Sequence, residues 1–201
     1  MEKVLIWDWP VRIGHWLLVG AFALAWITGD SEEWRLVHAF AGGTVISVVL
    51  FRLLWGVVGT QHARFTRFVR GPQAVVDYFR GLLRGEESNY AGHNAAGGWA
   101  IVALLVLGLL VGASGWLVYQ DIGGEWFEEA HEALATGMLA VAALHVTGVI
   151  VSSLAHRENL VRAMFTGLKL GQPDDSISST CPSTILLMLA WVSVGTWWLA
   201  R

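Results

Sequence analysis

The chain has 201 residues, of which 55% are hydrophobic and only 14% charged, and its mean hydropathy is +0.53. So apolar a composition excludes a soluble globular domain and indicates an integral membrane protein. A net charge of −3 argues against nucleic acid as a partner, and the single cysteine, Cys181, excludes both a disulfide framework and a Cys-x-x-Cys-His site for covalent cofactor attachment.

Five segments, roughly 12–29, 36–57, 96–118, 132–155 and 183–200, are long enough at 1.5 Å per residue to cross about 30 Å of hydrocarbon. The first begins too late and lacks a small-residue cleavage site, so it reads as a retained helix and not a signal peptide. After the second comes "PQAVVDYFRGLLRG", whose Val75, Phe79, Leu82 and Leu83 share one helical face beside Arg80 and Arg84. That pattern predicts a short helix on the membrane surface. The fifth segment follows the polar, Ser-rich "GQPDDSISSTCPS", which divides the chain into a bundle over 1–170 and a linker with a C-terminal helix over 171–201.

Basic residues stay on the cytoplasmic side of short loops. Lys3 and Arg12 precede the first span, Arg64, Arg67, Arg70, Arg80 and Arg84 follow the second, and Arg157, Arg162 and Lys169 follow the fourth. The alternate loops, "GDSEEWR" and "QDIGGEWFEE", are mostly acidic. This predicts a cytoplasmic N-terminus and an Arg201 outside. Trp7, Trp9, Trp34, Trp55, Trp126, Trp197 and Trp198 fall near the predicted boundaries, where an indole is favoured.

Four histidines sit in or at the ends of these spans. In "HEALATGMLAVAALH", fourteen residues turn through roughly 1400°, returning within about 40° of the start after a rise of about 21 Å. His131 and His145 therefore share a face at two depths. His15 near the start of the first span and His38 at the start of the second repeat the arrangement, so His15 pairs with His145 and His38 with His131 in an antiparallel bundle. Facing histidines, with no cysteine, no methionine partner at the same level and no carboxylate in the first shell, suit a six-coordinate haem iron better than four-coordinate zinc. Gly14, Gly42, Ala135 and Gly148 lie where a flat ring would need close approach, although ordinary small-residue helix packing accounts for each equally well. Haem propionates need cationic partners near the interface. Arg12, Arg52 and Arg157 are the candidates for an inner haem and Arg35 for an outer one, each also explained by the positive-inside pattern.

Four separated stretches carry a family resemblance: "WDWPVRIGHWLL", "WGVVGTQHARF", "GHNAAGGWAIVALL" and "HEALATGMLAVAALHVTGVIVSSLAHRENLVRAM". Together, over residues 5 to about 168, the chain resembles the bacterial cytochrome b561 family, which includes the b-type cytochrome subunits of nickel-iron hydrogenases. The resemblance implies a di-haem membrane cytochrome that exchanges electrons with quinone and with a periplasmic redox protein, and it places the axial ligands on His15, His38, His131 and His145. Where the family often has "GHNP" opening the third span, this chain has "GHNA", which removes no ligand. The fifth span lies outside the resemblance.

The expected protein is thus an all-α membrane protein of the bacterial cytoplasmic (inner) membrane. An antiparallel four-helix transmembrane bundle holds two non-covalent b-type haems, and a fifth transmembrane helix is added at the C-terminus. It would pass electrons between the quinone pool and a periplasmic c-type cytochrome, hydrogenase or other dehydrogenase. A quinone carbonyl needs a hydrogen-bond donor and a proton source, which His62, Arg64 and His93 offer on the cytoplasmic side. The rival readings are a stand-alone oxidoreductase taking electrons from superoxide or another small donor to quinone, and a transporter or assembly factor whose histidines handle protons. Acidic outer loops repel an anionic donor and attract a basic protein, which favours the electron-transfer subunit over the first rival.

Overall fold

The structure, a computed structural model, describes residues 2–85 and 90–200. Helix α1, Trp9–Thr28, begins where a capping residue and a proline coincide: Asp8 accepts from the Val11 backbone N–H at 2.8 Å and Pro10 occupies the first turn. Asp8 is fully buried, and its second oxygen accepts from Trp55 Nε1 at 2.9 Å and from Thr60 Oγ1 at 2.6 Å. One carboxylate thereby starts α1 and anchors the end of α2, Arg35–Val58, which follows a 3-10 turn at Glu32–Trp34.

Short α3, Phe65–Phe68, leads to α4, Pro72–Arg84, the amphipathic helix expected on the surface. It buries no residue but is tethered, because Tyr78 Oη lies 2.9 Å from Ser152 Oγ and accepts from Asn94 Nδ2 at 3.0 Å. Asn94 also caps α5, Ala95–Tyr119, by accepting from the Gly97 N–H at 2.7 Å. That cap starts the helix without the proline at position 95.

Helix α6, Glu125–Ala155, starts about two turns earlier than the hydropathy suggests. Glu125 and Glu128 in its first turn lower the hydropathy there yet favour a helix N-terminus electrostatically. After α7, Leu160–Thr166, strand β2, Leu168–Gly171, pairs antiparallel with β1, Glu2–Leu5. The chain ends in α8, Pro182–Leu199. Among the described residues, helices α1, α2, α5, α6 and α8 are the five long and apolar enough to cross a membrane, so the protein is an all-α membrane bundle, to which β1 and β2 add a small ladder.

Helix α2 is the most buried of the five and touches α1, α5 and α8. Its crossing with α8 is made by small residues: a Cβ at Gly43 would stand 3.3 Å from the Thr196 carbonyl oxygen, and one at Gly195 would strike Ser47 Oγ. Close approach of this kind is how helices associate where lipid is as apolar as leucine. Thr44 and Thr196 hydroxyls meet at 3.2 Å, and Trp191 Nε1 donates to the Ser47 carbonyl at 3.0 Å. Gly14 belongs to this packing too, facing Val48 and Met188 at 3.6 and 3.7 Å. The Ser-rich stretch before α8 is pinned to the chain start, with Ile177 N–H donating to Leu5 and Trp9 N–H to Thr180. Val4, Ile6, Trp7, Val11, Ala63 and Ala163 form a separate small core there. Helix α6 packs on α5 and barely touches α1, so the histidine-bearing faces of α1 and α6 are not packed directly together.

Candidate functional site

At the end of the bundle far from the N-terminus, His38 of α2 and His131 of α6 come together. Their ring centroids lie 6.1 Å apart with planes at 85°. His38 Nδ1 lies 2.9 Å from the Ala25 carbonyl of α1, and His131 Nδ1 lies 3.1 Å from the Val111 carbonyl and from Ser114 Oγ of α5. A carbonyl only accepts, so each Nδ1 carries the proton and each Nε2 keeps a lone pair. Orientation of one ring nitrogen by a backbone carbonyl while the other is left to bind is the habit of metal-ligating histidine. Two metal–imidazole bonds of about 2 Å plus the inner half-widths of two rings account for a separation of this size. Gly115 gives His131 its place, since a Cβ there would lie 2.8 Å from His131 Cε1.

Nearer the N-terminus, His15 of α1 and His145 of α6 lie within electrostatic reach of one another. His15 stands edge-on to Trp16, and its Nδ1 is buried without a hydrogen-bond partner. His93, just before α5, feels His145, Arg52, Lys169 and His62. Its ring packs on Trp7 at 4.5 Å and Phe68 at 4.9 Å. Burial first, and then those positive neighbours, push His93 well below the usual histidine range, so it is neutral at physiological pH. Arg52 spreads over Phe65 and Phe68, and its Nη1 is also buried without a partner. These buried nitrogens with nothing to bond suit a neighbour that brings acceptors, as an anionic propionate does. The residues at both levels therefore fit haem, with paired imidazoles at the far end and imidazoles plus an unsatisfied guanidinium at the near end. Gly42 and Gly148 have no heavy atom within 4 Å of a Cβ position, which leaves room on both helices for a flat ring.

The remaining expected residues divide. His62 and His93 line a cavity of about 220 Å³ with Arg67, Arg70, Tyr90 and Asp175. His62 Nε2 donates to the Asp175 carbonyl at 2.7 Å. Arg64 turns away and donates to the Gly59 carbonyl at 2.8 Å. Arg157 is exposed, at a left-handed position (φ 53°) just after α6. Arg35 lies over the Tyr119 ring at 5.6 Å. Arg12 is buried, but it leans over Trp9 towards α7 rather than towards Arg52 and His93.

Three participants had no legible signature. Lys169 of β2 is buried, donates to the Tyr90 and Gly92 carbonyls at 3.0 and 3.2 Å, and sits 3.9 Å from Glu158. It holds the loop that carries His93. Burial lowers its pKa while Glu158 opposes the shift. Asp8 and Ser114 are the others. Lys169 and Asp8 each occur in an ordinary run of charged and apolar residues, and only the distances reveal their partners.

A multi-pass helical bundle with imidazoles facing each other between its spans is the architecture of membrane cytochromes that hold haem without covalent attachment. The profile of the prokaryotic cytochrome b561 family matches residues 6–167, and the chain belongs to that family. It is accordingly a membrane b-type cytochrome of electron transfer, with haem b as its cofactor. Two similar proteins are named "Probable Ni/Fe-hydrogenase B-type cytochrome subunit". The one from Rhodobacter capsulatus is 23% identical over 86% of this chain and 83% of its own length. The one from Rhizobium leguminosarum bv. viciae is 23% identical over 84% of this chain and 90% of its own length. No solved structure matches the chain.

Proposed function

We propose that the chain holds two b haems, one between His38 and His131 and one between His15 and His145, and carries electrons across the bacterial inner membrane between quinone and a periplasmic redox protein. The observation that carries this reading is the His38–His131 pair, 6.1 Å apart, with both Nδ1 atoms engaged by carbonyls. Haem supplies a one-electron iron couple at each level. The chain's residues do the rest. Ala25, Val111 and Ser114 orient the imidazoles, and Arg52 supports the near site as a propionate partner. His62 and His93 face the cavity where a quinone head would dock, and a neutral imidazole there can accept or return a proton at a carbonyl oxygen. The arginine asymmetry favours the cytoplasm for this end. At the other end Asp30, Glu32, Glu33, Asp121, Glu125, Glu128 and Glu129 form an acidic surface suited to a basic patch on a protein partner. The hydrogenase named for both relatives is one such partner, and a c-type cytochrome is another.

The test is the ligand pairing. His15→Ala and His145→Ala should each abolish, or turn high-spin, the same haem signal, and His38→Ala and His131→Ala the other. Combining His15→Ala with His145→Ala should still leave one low-spin haem, because both losses fall on one site. If His15 and His131 proved to control the same signal, the pairing would be wrong.

A further inference from the structure

We propose that the groove between the start of α1 and the end of α7 is a binding site for one anionic phospholipid. The groove encloses about 310 Å³. Its walls are largely apolar, formed by Trp9, Ile13, Leu17, Met164 and Phe165, and Arg12 and Trp16 complete the lining. Arg12 is only 7% exposed. Its guanidinium lies 4.0 Å above the Trp9 ring, its hydrogen bond to the Met164 carbonyl is long at 3.4 Å, and no salt bridge neutralises it among the described residues. Trp16 Nε1 is buried with no acceptor at all. A buried cation without a counter-ion is costly, as is a buried donor without an acceptor. Both deficits, in one groove, are met by a ligand that brings anionic oxygens.

Position makes that ligand a lipid. Arg12 sits in the first turn of a spanning helix, at the basic end of the bundle, where phosphate headgroups lie and where anionic lipids meet clustered Lys and Arg. Beyond the two donors the groove offers only apolar wall. Gly20, on the same face one turn further on, has no heavy atom within 4 Å of its Cβ position, so an acyl chain can continue along the helix. The groove is also distinct from the haem face. At 100° per residue, Trp16, Trp9 and Ile13 lie about 100°, 120° and 160° round α1 from His15, all in the same sense. Arg12, about 60° round, stands between the two faces and leans towards Trp9.

The experiment is native mass spectrometry of the haem-loaded protein, incubated in detergent with phosphatidylglycerol or phosphatidylcholine. The wild type should keep one phosphatidylglycerol at collision energies that strip phosphatidylcholine. Arg12→Gln should cut that retention roughly tenfold or more, the loss expected for a charge-assisted contact. Trp16→Phe, which removes only the N–H, should reduce it several-fold, and Arg12→Lys should restore part of it. Haem content and absorption should not change in any of the three. Equal retention of both lipids by the wild type would overturn the proposal, as would displacement by inorganic phosphate at equal concentration. If Arg12→Gln alters the haem absorption while lipid retention stays intact, the guanidinium serves a propionate and the lipid site is wrong. Should Arg12→Gln fail to fold, Trp16→Phe and the groove-filling Ile13→Trp decide, and wild-type retention in both refutes the site.

Discussion

Gly115→Ala changes a residue on α5, a helix that supplies none of the proposed haem ligands, yet it should weaken one haem selectively. The added Cβ would stand 2.8 Å from His131 Cε1, 3.2 Å from Nδ1 and 3.5 Å from Nε2. Carbon atoms need about 3.5 Å or more for favourable contact, so the ring must retreat by roughly 0.7 Å. Metal–ligand distances tolerate about 0.2 Å. Its retreat is opposed by the contacts that tie Nδ1 to Val111 and Ser114. Overpacking of this kind costs about 1–3 kcal/mol, which is roughly a five- to 150-fold loss in haem affinity. Ser114→Ala is a milder companion: the Val111 carbonyl remains, so about 0.5–1.5 kcal/mol is at stake. The assay is haem titration followed by reduced-minus-oxidised spectra and electron paramagnetic resonance. The signal controlled by His38 and His131 should fall or turn high-spin while the other persists. Retention of both signals with unchanged affinity, or loss of the signal controlled by His15 and His145 instead, would refute the account of His131.

Two further outcomes follow from the near end of the bundle. His93 is held well below its ordinary pKa, so the unfolded chain takes up that proton first as the pH falls below about 6.5. Folding stability should therefore drop on acidification through that range, and His93→Gln should flatten part of the drop in thermal unfolding at pH 7.5 and 5.5. Identical drops in both proteins would remove His93 as the cause. Topology is checked by reporter fusions: Gly85 and Gly171 should report cytoplasm, and Glu33 and Gly123 periplasm, whereas a periplasmic signal at Gly85 would reverse the orientation and exchange the roles of the two haem levels.

Spans were legible because hydrophobic length is a one-dimensional property, and α1, α2, α5 and α8 lie within about three residues of the hydropathy limits. The start of α6 was not, since its acidic first turn is favoured by the helix dipole and penalised by any hydropathy sum. Helical spacing and depth likewise set His38 opposite His131, and the two rings lie 6.1 Å apart. Loops carry no such period. Nothing in "GTQHARF" distinguishes His62, which faces the cavity, from Arg64, which bonds back to Gly59. In the sequence Asp8 is one more charge before a helix, yet it satisfies three donors drawn from α1, α2 and the turn after α2. Hydropathy also shows that α8 crosses the bilayer but cannot say that it lies on α2, a choice made by Gly43, Ser47, Gly195 and Thr196.

The pairing of β1 with β2 bears on how the chain is made. Glu2–Leu5 is encoded ahead of the first span, but its partner, Leu168–Gly171, is encoded only after four spans. At about 5–20 residues per second, the leading strand waits roughly 8 to 30 s for its mate. Insertion of the first four spans thus precedes closure of the ladder, and the ladder then acts as a seal on a finished hairpin set and not as a nucleus for it. A bulky fusion at the N-terminus would obstruct this late step while leaving membrane insertion untouched.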